Sequence, residues 1–379
     1  MFEFDKMHKQ IQRSAKAFAV GEFDKDICRE MDNNSQFSDK IRIKAGSTGF
    51  LGIQIPEEYS GGALGAVEEA ILAKTFCRQD STAGCALMFS TPGTAFLLGS
   101  DISSLKQKYL PELTAGNIIS AEAFSEVSSD PSFLRIDTIA DQTKDGWLIN
   151  GCKVNVINGI SADVYFVLCK TEADSLSVFL VDADTEGIVV NEKQETLGLR
   201  MIERVDVGFE NVFIPVENRL GIISKNKQEL TTYVAENQVQ IAAMATGIAK
   251  GAYDRAIKYS KIREMFGKKL TDFQISRHKF ANMATEIELA FLITFKAAVA
   301  IDNNTLTSSL AAMAKKSATE CALTVSDTAV QLLGGYGYTS EYEVERYYRD
   351  AKVLELLGGG KSHLKDTIAD KEIGRPKNK

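Results

Sequence analysis

Histidine, paired cysteines and long uncharged apolar runs are scarce or absent in this sequence, and each absence excludes a class of protein. Three histidines and six scattered cysteines in 379 residues form neither a CxxC pair nor a local cluster of metal ligands. We therefore predict no metal site and reduced thiols. The first residues, MFEFDKMHKQ, lack the apolar core of a signal peptide, so we expect a cytoplasmic protein.

Charge and hydropathy exclude two further classes. The formal net charge is −7, which argues against the clustered cationic surface that nucleic acid requires. Nowhere does the sequence contain about 18 consecutive uncharged apolar residues, so we expect no membrane span. Hydrophobic and charged fractions of 44% and 25% are typical of a globular protein, and the length allows two or three domains.

The spacing of apolar residues changes twice along the chain. Residues 1–116 are mostly helical, for example at 67–76. In residues 117–224, short β-branched runs alternate with turn residues, which predicts a middle antiparallel β-domain. Residues 225–379 return to helical spacing with alanine-rich faces, which predicts a C-terminal four-helix bundle. The predicted fold class is α+β, mainly α, with an N-terminal helical domain before the β-domain.

Five motifs, in this order, resemble the acyl-CoA dehydrogenase family over essentially the whole chain. They are PEEYSGG at 56–62, INGCKVNVINGISADVYFVLCKT at 149–171, LGLRMIERVDVGFENVFIPVENRLG at 197–221, REMFGKKLTDFQISRHKFANM at 263–283 and QLLGGYGY…VERYYRDAK at 331–352. The resemblance implies FAD at a subunit interface and a homotetramer or homodimer. It also implies redox chemistry at the α,β carbons of an acyl thioester, carried by CoA or by an acyl carrier protein, with a flavoprotein as electron acceptor.

The last two motifs match the FAD contacts that one subunit of this family donates to its neighbour. The matching residues are Arg263, Phe266, Gln274, Gln331 and Gly335. An arginine fork and bare glycine N–H groups suit a phosphate. The alternative is that Arg263 pairs with a carboxylate and that the glycines merely end a helix.

The contacts that a subunit makes with its own flavin depart from the family pattern. Ser125, in SEVSSD, keeps a hydroxyl where the family has a threonine, and Ser129 and Asn237 are the predicted substrate contacts. Asn155 stands where an aromatic residue covers the flavin. Ile157 stands where Thr or Ser donates a hydrogen bond near the reactive nitrogen, and isoleucine has no donor.

The base that removes the substrate's α-proton is missing where the resemblance places it. Family members read aromatic–Glu–Gly–Thr where this chain reads Leu357–Gly358–Gly359–Gly360. Gly358 takes the glutamate position, Gly359 is a predicted cofactor contact, and Gly360 replaces a cofactor-binding threonine. Some relatives carry the base on the first long helix of the bundle, where this chain has Asn237.

Two neighbouring carboxylates are weak substitutes, and the catalytic residue stays unknown at this point. Glu236 adjoins Asn237, but one residue along a helix rotates a side chain by about 100°. A solvated carboxylate at a helix start is the simpler interpretation of Glu236. Glu355 lies three residues before Gly358 and meets the same objection. The triple glycine predicts a hinge, a wider pocket or the remnant of lost catalysis.

Three functions remain open. The first is an FAD-dependent oxidoreductase with a relocated base, which we favour. The second is a flavoprotein that catalyses an elimination without such a base. The third is a non-catalytic subunit that completes the site of a related chain in a hetero-oligomer. The residues that match contacts to a neighbour's flavin are kept, whereas those that match contacts to the subunit's own flavin are changed. This asymmetry supports the third function.

Overall fold

The computed structural model describes residues 4–128, 135–171, 175–223 and 227–375 of the chain. Ser129, a predicted substrate contact, lies outside the described residues. The element order is helical, then β, then helical, so the predicted fold class is confirmed. The domain boundaries after residues 116 and 224 stay predictions.

Helices precede the first strand, and aspartates begin several of them. Asp5, Asp24 and Asp80 accept hydrogen bonds from free N–H groups in the first turns of α1, α2 and α5, which satisfies donors that the helix itself leaves unpaired. Gly116 ends α7 with a φ of 72°, as its sequence position predicts. The helices are α1 Lys6–Glu22, α2 Lys25–Asn34, α3 Asp39–Ser47, α4 Ala66–Gln79, α5 Ser81–Met88, α6 Thr94–Gly99 and α7 Ser103–Ala115.

The middle part is an eight-stranded sheet with the order β6-β7-β3-β2-β4-β5-β8, in which β1 pairs with β4. The pairs are antiparallel, as predicted, except that β1 and β2 run parallel to β4. A hairpin can join only antiparallel strands, so parallel strands need a longer connection. Accordingly, both parallel pairs join strands that are not consecutive in the sequence. The strands are β1 Ser120–Ala123, β2 Ile139–Gln142, β3 Gly146–Ile157, β4 Val164–Lys170, β5 Leu176–Asp182, β6 Ile188–Val190, β7 Arg204–Pro215 and β8 Arg219–Ile223.

Long helices form the C-terminal part and pack through small residues on α8. A Cβ at Gly247 would lie 2.5 Å from the carbonyl oxygen of Lys74 on α4, and one at Gly251 would lie 2.3 Å from the ring of Tyr347 on α11. Only glycine permits these approaches. The elements are α8 Gln228–Ser260, β9 Glu264–Met265, β10 Lys268–Lys269, α9 Gln274–Asp302, α10 Ser308–Leu333, α11 Val344–Leu354 and α12 Lys361–Ile373. No helix in the described ranges has the length and apolar character needed to cross a membrane.

A buried carboxylate on α11 joins the three parts of the chain. Asp350 is fully buried and accepts hydrogen bonds from the hydroxyls of Ser81 at 2.6 Å and Thr82 at 2.5 Å, at the start of α5. It also accepts one from the backbone N–H of Leu199, before β7, at 2.6 Å. One turn earlier, buried Arg346 donates to buried Asp80 at 2.5 Å. Helix α11 is therefore fixed against both the N-terminal helices and the β-domain.

We expect Asp350→Asn to change the pH dependence of stability. Burial raises the pKa of Asp350 from 3.8 to about 6, although the hydrogen bonds from Leu199, Ser81 and Thr82 lower it. Because the pKa is raised by folding, protonation stabilises the fold below pH 3.8, and this contribution is lost as the pH rises through about 6. The free energy of unfolding of the wild type, relative to Asp350→Asn, should fall by about 3 kcal/mol over this range in urea titrations.

Asp327→Asn is the matched control, because Asp327 is exposed on α10. A difference between the wild type and Asp350→Asn that stays constant across the pH range would contradict the expected effect.

Candidate active site

A cavity of about 650 Å³ lies where the three parts of the chain meet. Its lining comes from α4, β1, the end of β3, the start of β7, α8 and the turn after α11. The structure brings together here these residues singled out from the sequence: Ser125, Asn155, Ile157, Glu236, Asn237, Gly358, Gly359 and Gly360.

The triple-glycine turn forms one side of this cavity. Gly358 and Gly359 have φ angles of 64° and 100°, a backbone region that favours glycine. The side-chain amide of Gln238 donates to the carbonyl of Gly358 at 2.9 Å, and Nζ of Lys315 donates to the carbonyl of Gly359 at 2.5 Å. Two successive carbonyls are thus fixed by side chains, which argues against a hinge.

The space expected beside Gly358 is partly filled. A Cβ at Gly358 would lie 2.9 Å from Cδ1 of Ile241 and 3.7 Å from Cγ of Gln238. Both neighbours belong to α8, which packs directly against the turn. Ile241 therefore narrows the space beside Gly358, and a wider pocket at this point stays a prediction.

Glu355 does not line the cavity. It is buried and forms ion pairs with Lys352 at 2.8 Å and Lys361 at 2.6 Å, between α11 and α12. Burial raises the pKa of Glu355, but the hydrogen bonds and charges of the two lysines outweigh it and leave the pKa lowered. Glu355 therefore connects two helices and is no substitute base.

Glu236 lines the cavity beside Asn237, contrary to the solvated position that we expected. Helix α8 begins at Gln228, so Glu236 lies about two turns inside the helix. Burial raises its pKa. None of the described residues donates a hydrogen bond to Glu236, so its carboxylate is free to take a proton from a ligand.

Glu69, on α4, is a cavity carboxyl group that sequence reasoning missed. It accepts hydrogen bonds from the amides of Gln54 at 2.8 Å and Gln240 at 3.2 Å. Burial, followed by repulsion from the charge of Glu236, raises the pKa of Glu69 to about 7. In the sequence it resembles an ordinary acidic residue in a first helical turn, so no local signal could have found it.

Glu122, on β1, is a second carboxyl group that was missed. It accepts a hydrogen bond from the phenol of Tyr233, on α8, and Tyr233 in turn accepts one from the N–H of Gly93 at 3.2 Å. Burial raises the pKa of Glu122 to about 7, although the bond from Tyr233 lowers it.

Arg204, also missed, is the first residue of β7 and lines the same cavity. Its Nε and Nη2 atoms are buried, and neither forms a hydrogen bond within the described part of the chain. It stands opposite Ile157 in the β3–β7 register. A buried N–H group without an acceptor is costly, so the cavity has a donor that none of the described residues satisfies.

A second cavity, of about 660 Å³, opens between the ends of α8 and α10 and the start of α9. Arg263, Gln331 and Gly335 line it, as the resemblance implies. Phe266 and Gln274 do not: Phe266 is 90% exposed in the β9–β10 turn, and Gln274 is exposed at the first position of α9. The residues predicted to contact a neighbour's cofactor therefore lie apart from those predicted to contact the subunit's own cofactor.

Gly335 and Arg263 in this second cavity distinguish a phosphate contact from the alternative of an ion pair and an ordinary helix end. No atom lies within 4 Å of a Cβ built at Gly335, so packing does not require glycine there. None of the described carboxylates pairs with Arg263, so the alternative of an intramolecular ion pair is wrong for those residues.

We expect Gly358→Glu, which places a carboxylate at the family's usual position, to destabilise the protein. The left-handed φ costs an L-residue about 1–2 kcal/mol, and the new side chain must also displace Cδ1 of Ile241. Urea titration measures the loss. Gly360→Ala is the control and should be neutral, since its φ is −71° and nothing lies within 4 Å of the added methyl group. Equal stability of Gly358→Glu and wild type would disprove the constraint.

Comparisons with known proteins agree with this geometry. Models of the N-terminal, middle and C-terminal domains of acyl-CoA dehydrogenases match residues 5–117, 121–212 and 230–373. The caffeyl-CoA reductase–Etf complex subunit CarC of Acetobacterium woodii is 32% identical over 363 residues, covering 94% of this chain and 95% of the relative. The mitochondrial short-chain specific acyl-CoA dehydrogenase of Rattus norvegicus is 32% identical over 367 residues, covering 94% and 88%.

A solved structure gives the same result. Butyryl-CoA dehydrogenase from Megasphaera elsdenii superposes with a TM-score of 0.91 at 26% identity, covering 98% of this chain and 100% of the other.

The residues present fit FAD, the cofactor of this family. Gly335 offers an open backbone, and Arg263 pairs with no carboxylate of the described residues, so both suit a pyrophosphate. Two buried nitrogens of Arg204 find no acceptor among the described residues, and they suit an acceptor-rich ring. With its three domain models matched in order, the chain belongs to the acyl-CoA dehydrogenase family of FAD-dependent oxidoreductases that act on CH–CH groups.

Proposed function

We propose that the protein interconverts an acyl-CoA thioester and its α,β-unsaturated form, with Glu236 as the group that takes or returns the α-proton. The observation that carries this proposal is the carboxylate of Glu236 in the first cavity, which lies beside Asn237 and accepts no hydrogen bond from the described residues. Glu69, Glu122 and Glu126 line the same cavity, but all three already accept hydrogen bonds.

Burial supports Glu236 in this role. A thioester α-proton is weakly acidic, so its acceptor must be desolvated and have a pKa near the working pH. Burial raises the pKa of Glu236, and the neighbouring carboxyl of Glu69 shares this environment. We assign the amide of Asn237 to the thioester, because it lines the cavity next to Glu236.

FAD, when bound, supplies the acceptor for the hydride of the β carbon. In the first cavity, Ser125, Asn155, Ile157 and Gly359 would contact the ring of the flavin that the subunit binds itself. In the second cavity, Arg263, Gln331 and Gly335 would contact a flavin bound mainly by a neighbouring subunit, with Phe266 and Gln274 at its edge. This division supports a homotetramer or homodimer, and the relative named as part of an Etf complex supports a flavoprotein as redox partner.

One experiment distinguishes this function from the other two that the sequence left open. The protein purified alone should carry a flavin absorption spectrum, and butyryl-CoA or another acyl-CoA of a chain-length panel should bleach it. Protein that binds flavin only together with a related chain would instead be a complementing subunit. A flavin that no acyl-CoA or acyl carrier protein thioester bleaches would favour an elimination.

We expect Glu236→Gln to lower kcat by at least about 100-fold with little change in KM, because the amide cannot accept the α-proton. In the oxidation direction, wild-type kcat should fall as the pH decreases through the raised pKa of Glu236, since the carboxylate must be ionised. Dye-linked turnover measures both effects. The control is Glu69→Gln in the same cavity, and its kcat should change much less. If Glu236→Gln turned over at the wild-type rate, Glu236 would not be the base.

We expect Gly335→Ala to weaken FAD binding at least about tenfold without changing the melting temperature. The methyl group meets open space within this chain, so any loss must come from a group outside it. Fluorescence titration of the FAD-free protein measures the affinity. Gly334→Ala is the contrasting variant, because its φ of 61° makes the substitution strained and lowers stability. If Gly335→Ala bound FAD as tightly as the wild type, the alternative that these glycines merely end a helix would be supported.

A further inference from the structure

Arg204 is the one cationic side chain among the described residues that line the first cavity. Its Nε and Nη2 atoms are buried, and no described residue accepts a hydrogen bond from either. Burial lowers the pKa of Arg204, and the nearby thiol of Cys85 acts in the opposite direction. Burial raises the pKa of that thiol, so it stays neutral and supplies no counter-charge. The described residues therefore leave both nitrogens available to a bound group.

We propose that Arg204 donates hydrogen bonds to the acceptor edge of the isoalloxazine ring of bound FAD, and so replaces the donor that Ile157 lacks. This inference rests on the proposed FAD site in the first cavity. It adds a flavin-tuning residue at a position that none of the five sequence motifs assigns to the cofactor.

The sheet register supports the assignment. Arg204 on β7 is the direct partner of Ile157 on β3, and directly opposed residues of an antiparallel pair extend from the same face of the sheet. Both line the cavity. Arg204 can thus supply the donor that Ile157 lacks, because its side chain is longer and carries a fork of N–H groups.

The charges around the cavity favour the ring over a substrate carboxylate. Glu69, Glu122, Glu126 and Glu236 line the same space, so an anionic acyl group would meet four carboxyl groups and one guanidinium. The oxidised ring is neutral and meets no such repulsion. When the ring accepts a hydride from the β carbon, both electrons arrive with it and the ring gains one negative charge. Arg204 stabilises that charge and therefore favours the reduced form.

The test compares wild type, Arg204→Met and Arg204→Lys, each loaded with FAD. Arg204→Met should weaken the binding of reduced FAD about tenfold more than that of oxidised FAD, which lowers the reduction potential by about 30 mV for two electrons. Arg204→Lys keeps the charge without the fork and should lie in between. Arg200→Met is the matched control, since Arg200 is partly buried nearby and lies outside the cavity lining. Dye-equilibrated reduction with dithionite measures the potential, and fluorescence titration measures oxidised FAD affinity.

Each alternative result has a defined meaning. Unchanged potential and FAD affinity in folded Arg204→Met would overturn the inference and leave the proposed function intact. The inference would also be overturned if Arg204→Met kept the reduction potential and bound glutaryl-CoA more weakly but butyryl-CoA equally well. Arg204 would then contact a substrate carboxylate. Wild-type protein that binds no FAD would overturn both. If Arg204→Met does not fold, the same comparison between wild type and Arg204→Lys decides.

Discussion

The buried carboxylate of Asp350 is the constraint on which the rest of the molecule depends. Three donors from two other parts of the chain must reach it, because an unsatisfied buried carboxylate is costly. The backbone also packs closely at this point. A Cβ at Gly198 would lie 2.4 Å from the carbonyl oxygen of Arg349, so the segment before β7 lies directly against α11. The junction therefore requires glycine next to the residue that donates to Asp350.

Both sides of the first cavity follow from this junction. Four residues after Asp350, α11 ends and leads into the triple-glycine turn. Five residues after Leu199, β7 begins with Arg204. The same hydrogen-bonded carboxylate therefore positions the turn where the family's base usually lies and the guanidinium on the facing strand. A site of this kind depends on rigid elements more than on the loops that complete it.

The order of elements was predictable because apolar periodicity and turn residues are local signals. The second cavity was largely predictable for the same reason, since Arg263, Gln331 and Gly335 belong to continuous motifs. Three residues of the first cavity were not predictable: Glu69, Glu122 and Arg204. Each looks ordinary in its own segment, and its surroundings form only when distant elements pack together. Glu236 was a candidate but was misjudged, since the sequence does not show that α8 begins eight residues earlier. Ser129 and the domain boundaries stay predictions.

The triple-glycine turn also constrains how the chain can change. Ile241, Gln238 and Lys315 all lie against Gly358, and the last two bond to the turn's carbonyls. A glutamate placed at this position would carry the cost of the left-handed φ, and α8 would have to make space for its side chain. The turn therefore makes substitution of Gly358 costly in stability, whereas Gly360, two residues later, has open space around it.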